Sequence, residues 1–201
     1  MTTLALERRL WRAGYRWLAG LDEAGRGALA GPVVVAAVIL PPERALARQL
    51  AGVRDSKQLS AAARGRLAPR IRERAIAWGV GAAGAPEIDQ LGIVPATRLA
   101  ALRALEHTAL VPDFLLTDFR LELPELDLPQ VSLVRGDQLS LSIAAASIVA
   151  KTWRDALMCD LDTQYSEYGF AVHKGYGTKR HRRQIRHCGP SPIHRQSFAL
   201  L

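Results

Sequence analysis

Four carboxylates in this chain occupy places where chemistry is a better explanation than surface decoration. Asp22 and Glu23 are adjacent, follow an apolar stretch and precede Ala24-Gly25-Arg26-Gly27. Asp118 ends the apolar run Phe114-Leu115-Leu116-Thr117. Asp155 lies four residues beyond Lys151 and eight beyond Ser147, so the three share one helical face. A buried carboxylate without a partner is costly, so acids at strand ends call for either solvent or a cation. Carboxylates from separate strands and a helix are hard oxygen ligands suited to Mg²⁺ or Mn²⁺, and a set without His or Cys disfavours zinc. Two such ions about 3.5–4 Å apart can clamp the attacking and leaving oxygens of an in-line displacement at phosphorus. No Ser/His/Asp or Cys/His motif supplies a competing nucleophile.

Each acid also has an ordinary alternative. Asp22 and Glu23 could be exposed loop acids, Asp118 a turn aspartate, and Asp155 half of a surface pair with Lys151 worth a few tenths of a kcal/mol. Gly25 and Gly27 weaken the first alternative, because glycines permit close approach of a ligand or another backbone. Neighbouring strand residues point to opposite faces, so the strand is expected to end or distort at Glu23 if both acids serve one centre. Asp160 and Asp162 lie further along the helix, and Glu122, Glu125 and Asp127 fall in a proline-containing loop. Asp137, just after Gly136, is read as a capping or turn residue near the helix start.

The elements that must position these residues follow from hydrophobic period and punctuation. A short helix is expected from Leu4 to Arg12, then strands from Tyr15 to Leu21 and from Val33 to Leu40, joined by the Gly-rich stretch Gly25–Gly31. Ser60 caps a basic helix ending near Ile76. Trp78–Ala83 reads as a third strand, and Pro86–Leu91 and Pro95–His107 as helices with proline in the first turn. Phe114–Thr117 and Gln130–Val134 read as strands, Leu139–Leu161 as a long helix, and Thr178 as the cap of a last helix to about His187. This order predicts an α/β domain with a mixed sheet over residues 1–165, and a basic helical segment over 166–201.

Charge narrows the partners. The net charge is +8 and the pI about 10.2, which points to a polyanion. No acid follows Glu167, whereas Lys174, Lys179, Arg180, Arg182, Arg183, Arg186 and Arg195 do, interleaved with Phe170, Tyr176 and Ile185. That one-sided, aromatic-bearing segment reads as a phosphate-facing surface rather than a disordered tail. The longest apolar run, Ala28 to Leu40, is broken by Gly31 and Pro32 and is too short for a bilayer. The N-terminus lacks the apolar region of a signal peptide, and Cys159 and Cys188 form no metal or disulfide pattern, so a reducing cytoplasm is expected.

Together the motifs resemble one family. Leu21-Asp22-Glu23-Ala24-Gly25-Arg26-Gly27 with Leu29-Ala30-Gly31-Pro32-Val33-Val34 is similar to the opening motif of ribonuclease HII. So are Asp55-Ser56-Lys57-Gln58-Leu59-Ser60, and Gly136-Asp137 leading into Ser142-Ile143-Ala144-Ala145-Ala146-Ser147-Ile148-Val149-Ala150-Lys151 and Arg154-Asp155. Gly169-Phe170, His173-Lys174-Gly175-Tyr176-Gly177-Thr178 and His194-Arg195-Gln196-Ser197-Phe198 complete a collinear match over nearly the whole chain. The resemblance implies a ribonuclease H-like fold with a small C-terminal helical part. It implies cleavage 5′ to ribonucleotides embedded in duplex DNA, and of the RNA strand of hybrids, leaving 3′-OH and 5′-phosphate ends. Asp22, Glu23, Asp118 and Asp155 would hold the Mn²⁺ or Mg²⁺ ions. Gly25, Arg26 and Gly27 would read the 2′-OH, the group that separates RNA from DNA. Tyr176 would stack at the RNA–DNA junction, and Lys57, Ser147 and Lys151 would contact phosphate. The protein would act as a monomer, and the C-terminal Ser197-Phe198-Ala199-Leu200-Leu201 is a candidate docking tail for a sliding clamp.

The chain departs from the family pattern at Phe119, where Gly or Ala is common, and at Trp153, where threonine is common. Ribonuclease HIII is less similar, since Arg26 stands where that family has lysine and no extension domain precedes the motif. A non-catalytic binding module would explain the basic segment but not acids at strand ends, where they repel phosphate unless a metal intervenes.

Overall fold

The computed structural model describes residues 2–43, 45–118 and 121–201. Five strands form one sheet in the order β3-β2-β1-β4-β5: β1 (Leu18–Ala24), β2 (Val33–Ile39), β3 (Ala77–Ala83), β4 (Phe114–Asp118) and β5 (Gln130–Leu133). The first three are antiparallel neighbours, whereas β1, β4 and β5 run parallel, so the sheet is mixed as expected. β2 is valine-rich and buried at every position, because helices cover both faces of the sheet.

Besides one 3-10 turn at Ser56–Gln58, nine α-helices occur among the described residues. They are α1 (Ala5–Arg12), α2 (Leu46–Gln49), α3 (Ala61–Arg74), α4 (Ala85–Leu91), α5 (Ile93–Glu106), α6 (Gly136–Leu139), α7 (Leu141–Gln164), α8 (Phe170–His173) and α9 (Lys179–Cys188). Val34, Ala36 and Val38 meet α3 and α7 on one face, through Ile71, Ala144, Ala145 and Ile148. Val33, Val35 and Ala37 meet α4 and α5 on the other, through Ile88, Ala100 and Ala104. Helix α7 approaches the sheet closely. A Cβ at Gly20 would collide with the backbone carbonyl of Ser142, so only glycine fits beneath the start of this helix. That close packing brings the polar face of α7 to the strand ends.

Several boundaries differ from expectation for local reasons. The first strand starts at Leu18 rather than Tyr15, because the Arg16 and Trp17 N–H groups donate to the Asp113 carboxylate at 2.7 and 2.9 Å instead of joining a ladder. It also does not end at Glu23, since Glu23 still pairs with Val35 and Ala24 with Val34. The long helix is interrupted: α6 stops, Ser140 accepts the Ile143 N–H at 3.2 Å as N-cap, and α7 begins one residue later. Ser60 and Thr178 cap α3 and α9 as read from the sequence.

The C-terminal segment packs on the main domain. Tyr168, Phe170 and Ile185 share a small core with Leu29 and Ala30 of the Gly-rich stretch and Met158 of α7. Arg182 donates to the carbonyls of Ala199 and Leu200, and Asp89 of α4 accepts the N–H groups of Gln196 and Ser197. Trp153 is partly exposed on α7, while Phe119 lies outside the described residues.

Candidate active site

Strand register brings the first acids together. In the parallel pair β1–β4, Leu21 stands opposite Thr117, and the pairing stops there. The next residue on each strand is an aspartate, so Asp22 and Asp118 are neighbours at the carboxyl ends, where open α/β sheets place their sites. Both have the parity that faces α7. Asp22 is buried and its Oδ1 accepts the Glu23 N–H at 2.7 Å. Asp118 Oδ1 accepts the Gly136 N–H at 2.7 Å, which ties α6 to the end of β4.

The electrostatics show acids crowded together with too little counter-charge. Burial, then Glu23, raises the Asp22 carboxyl well above its ordinary range, with a hydrogen bond from Ser147 acting against the shift. Burial raises Glu23, with Arg26 opposing and Asp118 adding to the effect. Asp137 is raised to about 6 by burial and by the charges of Asp55 and Asp118. Asp55 moves the other way: burial acts to raise it, but hydrogen bonds beginning with the Lys57 N–H carry it below its ordinary value. Lys57 is raised, because the charges of Asp22, Asp137, Asp55 and Glu23 outweigh its own desolvation. Its ammonium is thus the cation toward which four acids lean. Arg26, Asp55, Lys57, Asp118, Arg135 and Asp137 line a cavity of about 490 Å³.

Asp155 is held by cations: its carboxylate pairs with Lys151 Nζ at 2.7 Å and Arg64 Nη2 at 3.3 Å. Asp137, read from the sequence as a cap or turn residue, is the acid that lies beside Asp118; the α7 cap is Ser140 instead. Gly136 is packed closely, since a Cβ there would meet Ile143 Cδ1 at 2.7 Å and the Asp118 carboxylate at 3.3 Å. Ser147 bridges Asp22 to the Asp55–Lys57 turn through its 2.8 Å contact with the Ser56 hydroxyl.

Donor type and burial fit a hard divalent cation. Glu23 Oε2 is buried without a hydrogen-bond partner, an arrangement a cation would satisfy. As the side chains stand, no three His, Cys, Asp or Glu among the described residues are gathered closely enough to hold an ion. Burial, with the like charges of neighbouring acids added, raises the pKa values of Asp22, Glu23 and Asp137.

The loop Gly25-Arg26-Gly27 is held from behind. Arg195 is fully buried without a carboxylate partner, and its guanidinium donates to the carbonyls of Gly25 at 2.7 Å, Arg26 at 2.8 Å and Gly31 at 2.9 and 3.0 Å. Arg154, equally buried, donates to Pro32, Lys174 and Ala30 carbonyls. In a trans peptide C=O and N–H point opposite ways. Drawing the Gly25 and Arg26 carbonyls inward therefore turns the Arg26 and Gly27 N–H groups outward. Among the described residues neither donor has a partner. Gly25 adopts φ +86°, and a Cβ there would strike Arg154, so this corner requires glycine.

Tyr176 lies against the same loop. It bridges to Ala28, and the Lys151 and Arg154 cations sit 5.2 and 5.4 Å from its ring centroid. Its carbonyl is fixed by a chain of neutral histidines. His194 Nδ1 accepts the Ser191 N–H at 2.8 Å, so its Nε2 must donate to His181 Nε2 at 3.0 Å. His181 Nδ1 then donates to the Tyr176 carbonyl at 3.0 Å, while the His173 ring stacks on His181 at 4.3 Å.

Comparison with known proteins follows the same lines. Residues 19–201 match the family described as Ribonuclease HII. A ribonuclease HII of Synechococcus sp. (strain JA-3-3Ab) is 55% identical, covering 99% of this chain and 89% of that one. One from Syntrophotalea carbinolica is 52% identical, covering 98% and 92%. Among solved structures, the ribonuclease H2 of Pyrococcus horikoshii OT3 superposes with a TM-score of 0.77 at 24% identity, covering 92% of this chain and 94% of the other. The RNase HII of Archaeoglobus fulgidus, solved as a complex with PCNA, superposes with a TM-score of 0.75 at 29% identity, covering 90% and 95%. With a ribonuclease H-like sheet, acids at the ends of its central parallel strands and a match over nearly its whole length, the chain belongs to the ribonuclease HII family.

Proposed function

We propose that this protein is a type 2 ribonuclease H: an endonuclease that hydrolyses the phosphodiester 5′ to a ribonucleotide embedded in duplex DNA and cuts the RNA strand of RNA/DNA hybrids. The products carry 3′-OH and 5′-phosphate ends. The observation that carries this reading is the register placing Asp22 beside Asp118, with Glu23, Asp137 and Lys57 around them. Asp22, Glu23, Asp118 and Asp137 are the residues to hold Mg²⁺ or Mn²⁺, and Asp155 instead orients Lys151 and Arg64. A pair of bound divalent ions supplies charge stabilisation at the scissile phosphate.

The chain's own residues do the rest. Lys57, which lies among the acids that would hold the ions, would contact the incoming phosphate. Lys151 adds a second cation, and Ser147 holds Asp22 in place. The outward N–H groups of Arg26 and Gly27 take the ribose 2′-OH, which a deoxyribose lacks. Tyr176 offers its face to the neighbouring deoxyribose. The basic residues of 166–201 meet duplex phosphates outside the site.

No helix among the described residues is long and apolar enough to cross a membrane. The reading is of a cytoplasmic monomer. A sliding clamp is a further partner; the candidate docking tail is residues 197–201, which must peel from Asp89 and Arg182 to reach it. The experiment is incubation with a DNA duplex carrying one ribonucleotide, with Mg²⁺ or Mn²⁺, beside an all-DNA control. One cut 5′ to the ribonucleotide, absent from the control and from Asp22→Asn, supports the reading. Binding without cutting overturns it in favour of a binding module.

A further inference from the structure

A second basic feature lies beyond the cutting-site cavity and apart from the C-terminal segment. Arg54, Arg66 and Arg70 converge on a groove of about 450 Å³ beside α3, floored by small and apolar residues such as Ala51, Gly52 and Leu67. No acid lines it. Among the described residues, these three guanidiniums make no ion pair or side-chain hydrogen bond, whereas Arg64 on the same helix is committed to Asp155 and to the Ser56 and Leu59 carbonyls.

This arrangement is unfavourable in isolation. Arg66 and Arg70 stand at i and i+4, where like charges repel, and Arg54 faces them across the groove. Helix α3 carries five arginines against one glutamate, Glu73. A polyanion would offset that repulsion.

Shared lining residues link the groove to the cutting site. Arg54 also lines the next cleft, with Thr2, Asp55, Gln58 and Gln138. Asp55 and Gln138 in turn line the cavity of Lys57, Asp118 and Asp137. A ligand leaving the site along this path meets Arg54 and then the groove that Arg54 shares with Arg66 and Arg70. Arg66 and Arg70 are about 6 Å apart along the helix axis, close to the rise of two nucleotides on one strand, about 7 Å. A single small anion cannot engage such a track and the cutting site together, but a polymer with regularly spaced phosphates can.

We propose that Arg54, Arg66 and Arg70 form a backbone-binding track that holds the nucleic-acid duplex flanking the cut site. The track reads charge and not sequence, so it contributes to every duplex long enough to reach it. It rests on the function proposed above, of which it names a second region of duplex binding.

The test uses an Arg54→Ala/Arg66→Ala/Arg70→Ala variant and a charge-preserving triple lysine variant, each with Asp22→Asn to prevent cutting. Affinity for an all-DNA duplex is measured against salt with a long duplex and with one too short to leave the active-site cavity. The alanine variant should bind the long duplex at least tenfold more weakly. Its slope of log K against log salt should fall by about 0.9 for each phosphate that is no longer neutralised. The short duplex should bind as in the parent, and the lysine variant should restore most of the long-duplex affinity. Thermal melting should be unchanged or slightly higher, because a like-charge pair is removed. Unchanged affinity and slope on the long duplex would overturn the proposal and leave the groove to an acidic protein partner. Failure of the unsubstituted protein, with Asp22 intact, to cut a ribonucleotide-bearing duplex would sink the enzymatic reading alone, since a reduced salt slope on all-DNA duplex still supports the track.

Discussion

Arg195 and Gly25 lie 170 residues apart in sequence, yet the guanidinium Nη2 donates to the Gly25 carbonyl at 2.7 Å in a fully buried hydrogen bond. The same side chain takes the carbonyls of Arg26 and Gly31, so one residue of the C-terminal segment sets the peptide planes of the proposed ribose-reading loop.

Arg195→Gln should therefore do two separable things. It leaves buried carbonyls without donors, costing several kcal/mol in all at about 1–3 kcal/mol each, measurable by urea denaturation. It also frees the Arg26 and Gly27 N–H groups to turn. In an Asp22→Asn background, preference for a ribonucleotide-containing duplex over all-DNA should collapse while all-DNA affinity holds. Retained preference at reduced stability would mean that Arg195 is only a structural brace.

Asp137 predicts a pH dependence of metal-free stability. Its folded pKa of about 6 exceeds the ordinary 3.8, so the folded state keeps a proton that the unfolded chain has lost. Stability from this group is highest below pH 4 and falls as pH rises through 6, by at most about 3 kcal/mol. Asp137→Asn should flatten that slope and raise the metal-free melting temperature near neutrality. It should also cut metal-dependent cleavage at least a hundredfold, while Asp155→Asn costs much less. Equal losses from the two variants would restore Asp155 as a ligand.

Metal binding should release protons. Asp22, Glu23 and Asp137 all have raised pKa values without metal, and ligation requires them ionised. Mn²⁺ affinity should weaken as pH falls below 6, and titration calorimetry in buffers of different ionisation enthalpy should detect the released protons. Saturating metal at a hundred times its dissociation constant should add about 2.7 kcal/mol of stability, removed by EDTA.

The histidine chain predicts the opposite slope in the same pH range. His181 is lowered to about 4 by burial and by the neighbouring His173 ring. The unfolded chain binds this proton first, so stability is present above about 6.5 and is lost as pH falls toward 4. Hydrogen exchange should show the backbone around Tyr176 and α9 loosening near pH 4 to 5 while β1 and β2 stay protected. His181→Asn should extend that loosening to neutral pH.

Much of this architecture was legible in the sequence, for identifiable reasons. Val33–Ile39 announces a doubly covered strand by being apolar throughout. Ser60 and Thr178 announce helix starts because a cap is a local event. The surroundings of Asp155 were harder to read, because i, i+4, i+8 spacing places it on one face with Lys151 without revealing that Arg64 also pairs with its carboxylate. Asp137 joins the cluster only through the hydrogen bond from Gly136 to Asp118, eighteen residues earlier. Arg154 and Arg195 gave no sign of being buried, since their partners are carbonyls, which every residue has. The late start of β1 depends on Asp113, remote in sequence and adjacent only in the fold.

Closing the loop at residues 25–27 with a side chain at 195 also imposes an order on biosynthesis. At about 5–20 residues per second, a ribosome needs roughly 10–30 s to advance from Gly25 to Arg195. Throughout that interval the β1–β2 hairpin has its acids but not the brace that aims the neighbouring backbone donors. The peptide planes of residues 25–27 are therefore fixed only once the end of the chain has been made, so the geometry of this corner is among the last features the polypeptide acquires.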